Sequence, residues 1–243
     1  MLTKCKAIVI KVINYSESSV IVKCYTNNLG MQSYIINGVR KNKGSIRPSQ
    51  LLPLTLLELE VYHQQNKSLQ RIKELKCAPP LNQLHFNMIK SAIGMFMSEV
   101  IYRGIKEENQ ADEALFDFLF NTIQILDMEQ ENMANLPVLF LLRLSRFLGF
   151  YPKFETGAAG DLAFNFKDGF FEPPIANTPF QADLTSSRLL HQLLLADTDE
   201  QVQMPMFSAH RKKLLQVLVW YYNEHVSGFS NMRSHDILSE VLE

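Results

Sequence analysis

The sequence predicts a multidomain α+β protein: a small all-β barrel or sandwich first, then a mainly helical domain interrupted by an irregular, loop-rich insertion. Three observations carry this. The first third of the chain holds short β-branched runs separated by turn residues, Cys77-Ala78-Pro79-Pro80 then stops both strand and helix, and beyond it the apolar period becomes helical. The expected domains are residues 1–78 and 79–243, with an irregular subdomain at about 150–181.

Five strands are expected in the first domain. Residues 6–13 are β-branched and end at Asn14. Residues 19–25 end at the turn Asn27-Asn28-Leu29-Gly30, and residues 31–36 end at Asn37-Gly38. In residues 54–63, Leu57, Leu59 and Val61 share one face and Glu58, Glu60 and Tyr62 the other. A last short run spans residues 69–75. Closely spaced short strands of this kind make a barrel or sandwich.

Helices follow. Leu84, Met88, Ala92, Phe96 and Val100, with Ile89, Ile93, Met97 and Ile101 beside them, give a wide apolar helical face. A second helix fits residues 112–127 with Asp112 as N-cap. A third fits 136–148, with Pro137 in its first turn and Gly149 as its stop. Residues 151–180 lose the period, carry six phenylalanines, and leave room for one small hairpin through Lys167-Asp168-Gly169. Helices resume near 183–196, 211–226 and 234–242.

Composition is that of a globular protein with a sizeable core: 47% hydrophobic and 20% charged residues in 243. No apolar run reaches the ~18 residues a membrane span needs. The N-terminus lacks a signal peptide's apolar core, so a cytoplasmic location is the expectation. Cys5, Cys24 and Cys77 are too few and too scattered for a disulfide framework. The net charge of −1 hides an asymmetry: residues 1–78 hold 12 Lys and Arg against 4 acids, and residues 79–243 hold 12 against 21. A basic first domain suits a polyanionic partner.

The basic residues concentrate in and just after the turn "YIINGVRKNKGS", where Arg40, Lys41, Lys43 and, two residues beyond it, Arg47 follow one another with no acid between them. This is not a phosphate-binding P-loop: Gly38 and Gly44 are one residue too far apart and serine stands where lysine is required. There is no HExxH, no GxSxG elbow, and no metal-ligand spacing among the six histidines. Asp112, Glu113 and Asp117 can be drawn as a nuclease metal site, but a capped, solvated helix start explains them better. Binding chemistry remains. Tyr15, Tyr25, Tyr34 and Tyr62 interleave with the cations, as suits bases stacking on rings while Lys and Arg track phosphates; the alternative is that these tyrosines sit in the barrel wall. A protein–protein adaptor whose barrel touches no DNA is a further alternative.

The runs "NYSESSVIVKCYTNNLG", "INGVRKNKGS" and "LLPLTLLELEV" resemble the N-terminal region of the RecO family of bacterial recombination-repair proteins. The matching positions are Ser16-Glu17-Ser18, Tyr25-Thr26, Gly30, Gly38-Val39-Arg40 and Leu52-Pro53-Leu54. Farther on, "LLRLSRFLGFYP" and "MRSHDILSEVL" are similar to the family's helix ending in Leu-Gly-Tyr/Phe and to its C-terminal helix. The resemblance implies an oligonucleotide-binding (OB) barrel followed by a helical body, and a nucleoid-associated recombination mediator rather than an enzyme. It further implies binding of single- and double-stranded DNA and strand annealing. The implied protein partners are the C-terminal tail of single-strand-binding protein and RecR, which together serve the loading of RecA. DNA contacts are expected at Arg40, Lys41, Lys43, Arg47, Tyr15, Tyr25 and Tyr34. The apolar-ended acidic tail is expected at Arg143, Arg146 and Phe147, three apart or adjacent on one helix. Some family members bind zinc through four cysteines in the region matching 150–180. This chain has none after Cys77, so no cofactor is expected, with aromatic packing in place of the metal.

Overall fold

The computed structural model describes residues 1–39, 46–106, 110–129, 133–154, 161–230 and 232–242. Its first five strands are β1 (Leu2–Asn14), β2 (Val20–Thr26), β3 (Gly30–Ile36), β4 (Leu56–Tyr62) and β5 (Leu69–Cys77). They close into a barrel in the order β1-β2-β3-β5-β4, with antiparallel pairs throughout except the parallel β3–β5 seam. β1 is long enough to serve two neighbours: Leu2–Ile8 pair with β4 and Ala7–Asn14 with β2. This is the OB-like barrel the sequence implies.

Alternation decides which side chains fill it. Cys5, Ala7, Val9, Val20, Val22, Cys24, Tyr34, Ile36, Leu57, Leu59 and Val61 form the interior. The opposite face of β1 is also apolar at Ile8 and Ile10, and both are buried. Helix α1 (Met88–Gly104) packs on β1, and Ser98 Oγ donates to the carbonyl of Ile10 at 2.5 Å. Gly94 permits the close approach: a Cβ there would lie 3.1 Å from Leu84 and 3.6 Å from Leu54.

Helix α2 (Glu113–Met128) starts as the sequence indicates, with Asp112 Oδ1 accepting from the Leu115 N–H at 2.9 Å. Its end is pinned to the start of α1. The Asp127 carboxylate accepts from the N–H groups of Asn82, Gln83 and Leu84 at 2.9, 2.8 and 2.7 Å. The buried Lys90 ammonium donates to the Asp127 carbonyl at 2.7 Å. The barrel, α1 and α2 thus form one compact unit, Met1–Met128, although the strands themselves end at Cys77.

The second unit, Glu129–Glu243, holds α3 (Leu136–Phe147), the hairpin β6 (Ala163–Asn165) and β7 (Phe170–Glu172), α4 (Leu184–Leu195), α5 (Thr198–Gln203), α6 (Ser208–His225) and α7 (Ser234–Val241). The hairpin turns through Lys167-Asp168-Gly169, with Gly169 at φ +76°. Its core is aromatic: Phe164 packs on Phe171 and Tyr221, and Phe166 on Phe180 and Trp220, with ring centroids 5.2–6.2 Å apart. Asn165 ties the hairpin together, donating from Nδ2 to Asp168 and Glu172 and accepting at Oδ1 from the N–H groups of Lys167 and Asp168.

Candidate nucleic-acid interface

The β1–β2 register shifts between Val9 and Lys11. Such a bulge re-aims side chains. Before it, Cys5, Ala7 and Val9 point inward. After it, Val12 packs against the interior, so Ile10 and Lys11 both stand on the outer face. Lys11 then sits directly opposite Lys23 of β2. Both ammonium groups lie over the ring of Tyr102 on α1, 4.0 and 5.4 Å from its centroid. Like charges set opposite one another in a ladder are unfavourable; the tyrosine face offsets this by attracting both cations. One residue on, Arg103 holds Glu99 at 2.7 Å, one helical turn apart.

Beside this cationic group opens a cavity of about 580 Å³. Ile10, Lys11 and Val12 line it from β1, Leu51 and Leu52 from the connection into β4, and Met95, Tyr102 and Arg103 from α1. Pockets of this size and apolar character, with a few charged groups at the edge, are the usual form of a ligand site.

The expected DNA contacts fare differently. Arg40, Lys41 and Lys43 lie outside the described residues. Arg47 is exposed, and its backbone exchanges hydrogen bonds with Gln50. Tyr15 is 61% exposed on the β1–β2 connection. Asn14 and Pro48, the chain neighbours of Tyr15 and Arg47, both line the cavity, whereas Tyr15 and Arg47 themselves do not. Tyr25 and Tyr34 are corrected: neither is available to a base. Tyr34 shares the inward face of β3 with Ile36 and is fully buried in the barrel. Tyr25 is 1% exposed; its hydroxyl donates to the Asp112 carbonyl at 3.4 Å and its ring stacks on Phe116. Burial raises both phenols, Tyr25 to about 12, and pushes the interior Cys5 thiol up to about 11. Lys11, Lys23 and Tyr102 were not singled out from sequence, because only the bulge brings them together.

In the second unit Arg143 is also corrected. It is half-buried, with its guanidinium donating to Gln201 Oε1 at 3.1 Å and to the Thr198 carbonyl at 3.1 Å, so it anchors α5 rather than offering a free cation. Arg146 is exposed and lies 4.4 Å over the Tyr151 ring, and Phe147 is exposed beside it. Asp112, Glu113 and Asp117 are exposed at the start of α2, and among the described residues no group of three or more His, Cys, Asp or Glu side chains is placed to hold a metal ion.

Comparison with known proteins decides the kinship. The family model for the recombination protein O N-terminal region matches residues 1–80, and that for its C-terminal region matches residues 85–234. The chain belongs to the RecO family. It is 35% identical to the DNA repair protein RecO of Flavobacterium psychrophilum over 242 residues, 99% of each chain. It is 35% identical to that of Azobacteroides pseudotrichonymphae over 246 residues, and 34% identical to that of Bacteroides fragilis over 246 residues, 100% of each chain in both cases. No cysteine follows Cys77, so residues 150–181 offer no thiolate to a zinc ion. Among the described residues there, the hairpin presents the Asn165 amide, hydrogen-bonded to two carboxylates.

Proposed function

We propose that this chain is a non-enzymatic recombination mediator that binds single- and double-stranded DNA on its barrel and anneals complementary strands. Membership of the RecO family supports a role in DNA repair and recombination. In the finer reading, the second unit receives the acidic tail of single-strand-binding protein at Arg146 and Phe147. With RecR, the chain then helps load RecA, acting in the cytoplasm at the nucleoid and without zinc. The observation that carries the DNA reading is the bulge that sets Lys11 against Lys23 over Tyr102, on the domain where cations outnumber acids three to one. Phosphate-tracking surfaces need cations interleaved with rings, and Lys11, Tyr102 and Lys23 supply both.

Binding of a labelled single-stranded oligonucleotide at moderate salt tests the reading. Saturable binding, with the DNA left intact in Mg²⁺, is expected. No binding favours a protein–protein adaptor, and cleavage would point to the acids of α2. Metal analysis of the purified protein is expected to show no zinc; one equivalent would overturn that part.

A further inference from the structure

We propose that Ser98 is a positioning residue for the cationic face: through the Ile10 carbonyl it holds the β1 bulge that puts Lys11 outside the barrel and over Tyr102. The inference rests on the DNA-binding reading above and deepens it, because it names the side chain that sets the placement of Lys11.

The bulge is a built feature, not a slack stretch of strand. With strict alternation from the inward-facing Val9, Lys11 would point into the barrel and Val12 out of it. The extra residue reverses this. Among the described residues, Ile10 stands in register with no residue of β2 or β4. Its carbonyl accepts from the Ser98 Oγ at 2.5 Å in a buried contact. The residue before it is held from the connection into β4. Val9 donates its N–H to the Thr55 carbonyl at 3.0 Å, and its own carbonyl accepts from the Leu54 N–H at 2.7 Å. Leu54 makes that bond at φ +63°. A left-handed leucine is unfavourable and persists only where its surroundings fix it; here the side chain is fully buried.

One stripe of α1 meets these features in turn. Gly94, Ser98 and Tyr102 are spaced four apart and share a helix face. Gly94 lies over Leu54, where a Cβ would come 3.6 Å from the leucine side chain. Ser98 takes the Ile10 carbonyl, and Tyr102 takes the Lys11 ammonium at 4.0 Å from its ring centroid. Of this stripe, Ser98 is the member that bonds the bulge itself. It is only 5% exposed, so water is poorly placed to replace its hydroxyl, and a buried carbonyl stripped of its donor is unfavourable. Without that hydroxyl the bulge loosens and Lys11 leaves the ring.

The test compares Ser98→Ala with Ser91→Ala in the full chain, folding being checked by thermal melting. Ser91 is the matched control: it stands on the same helix and its Oγ donates to a carbonyl outside β1, that of Leu84, at 2.7 Å. Ser98→Cys keeps the volume and has only a weak S–H donor, so it serves in place of Ser98→Ala if that variant does not fold. The first readout needs no DNA. The ring current of Tyr102 should hold the NMR resonances of the Lys11 ε-methylene, assigned from their loss in Lys11→Arg, upfield in the wild type and in Ser91→Ala. In Ser98→Ala they should move to the position of an exposed lysine, as they should in Tyr102→Leu. The second readout is binding of a labelled single strand across a salt series. Loss of one phosphate contact should flatten the log–log slope of Ser98→Ala by about 0.7 and weaken binding about fivefold near 0.1 M salt. Ser91→Ala should match the wild type. A folded Ser98 variant that keeps either the wild-type Lys11 resonances or the wild-type slope overturns the proposal, and so does an equal loss in Ser91→Ala. If the wild type binds no DNA, the functional reading fails, and the Lys11 resonances alone decide whether Ser98 sets the bulge.

Discussion

Replacing both Lys11 and Lys23 with Gln removes the cations that the bulge brings together, and its effect can be worked out beforehand. Each phosphate neutralised on a single strand adds about 0.7 to the slope of log affinity against log salt. At about 0.1 M salt that is a further ~0.7 log units of affinity, about fivefold per contact. The double variant should therefore flatten the slope by about 1.4 and bind about 25-fold more weakly. Stability should fall by no more than about 2 kcal/mol. Removing the cross-strand repulsion gains about 0.2–1 kcal/mol, and losing two exposed cation–π contacts with Tyr102 costs about 0.5–1 kcal/mol each. Fluorescence anisotropy across a salt series, with a melting curve for each protein, reads both quantities. An unchanged slope in a folded double variant would show that these lysines meet no phosphate.

Further outcomes follow from the same geometry. Replacing Arg40, Lys41, Lys43 and Arg47 together with Gln should flatten the salt slope by up to ~3 and weaken binding alike on all sequences, without unfolding the barrel; salt titration on two unrelated oligonucleotides checks this. Asp127→Asn should lower stability at neutral pH by about 2–3 kcal/mol, because three backbone N–H groups lose a charged acceptor and the Lys90 ammonium, still bonded to the Asp127 carbonyl, loses the nearby negative charge. Burial opposes ionisation of Asp127, but those donors outweigh it and hold its pKa below the usual value. The contribution is therefore full above about pH 4. It fades as the pH falls through the lower folded value, so denaturation curves should show wild type and variant converging in acid. Gly169→Ala should cost about 2–3 kcal/mol in chemical denaturation, since φ is +76° and a Cβ would lie 2.8 Å from the Tyr221 hydroxyl.

The five strands were legible because alternation and turn residues mark them directly: Leu57, Leu59 and Val61 face inward and Glu58 and Tyr62 outward, as their spacing demands. Asp112 and Gly149 mark helix ends by local chemistry, and the structure places them there. The irregular stretch folds around aromatic rings because phenylalanine is what the sequence supplies there. The tyrosines were ambiguous for a physical reason: a β-former beside cations suits either face. Tyr34 could have been assigned from its two-residue spacing to Ile36, whereas Tyr25 is covered by Phe116 and Asp112, far away in sequence. The bulge at Ile10 leaves no turn signal, so Lys11 could not be placed opposite Lys23 beforehand. The partners of Arg143 were hidden likewise, because α5 is a short polar helix whose Gln201 and Thr198 bear no periodic mark.

The central claim is that the barrel serves a mediator of DNA strand pairing, and strand annealing tests it most directly. Two complementary labelled oligonucleotides, each coated with single-strand-binding protein, are mixed with and without this protein at moderate salt. The wild type should speed duplex formation on both bare and coated strands, and the Lys11→Gln, Lys23→Gln variant should be slower on both. Equal rates with and without wild-type protein, on bare and coated strands alike, would contradict the account.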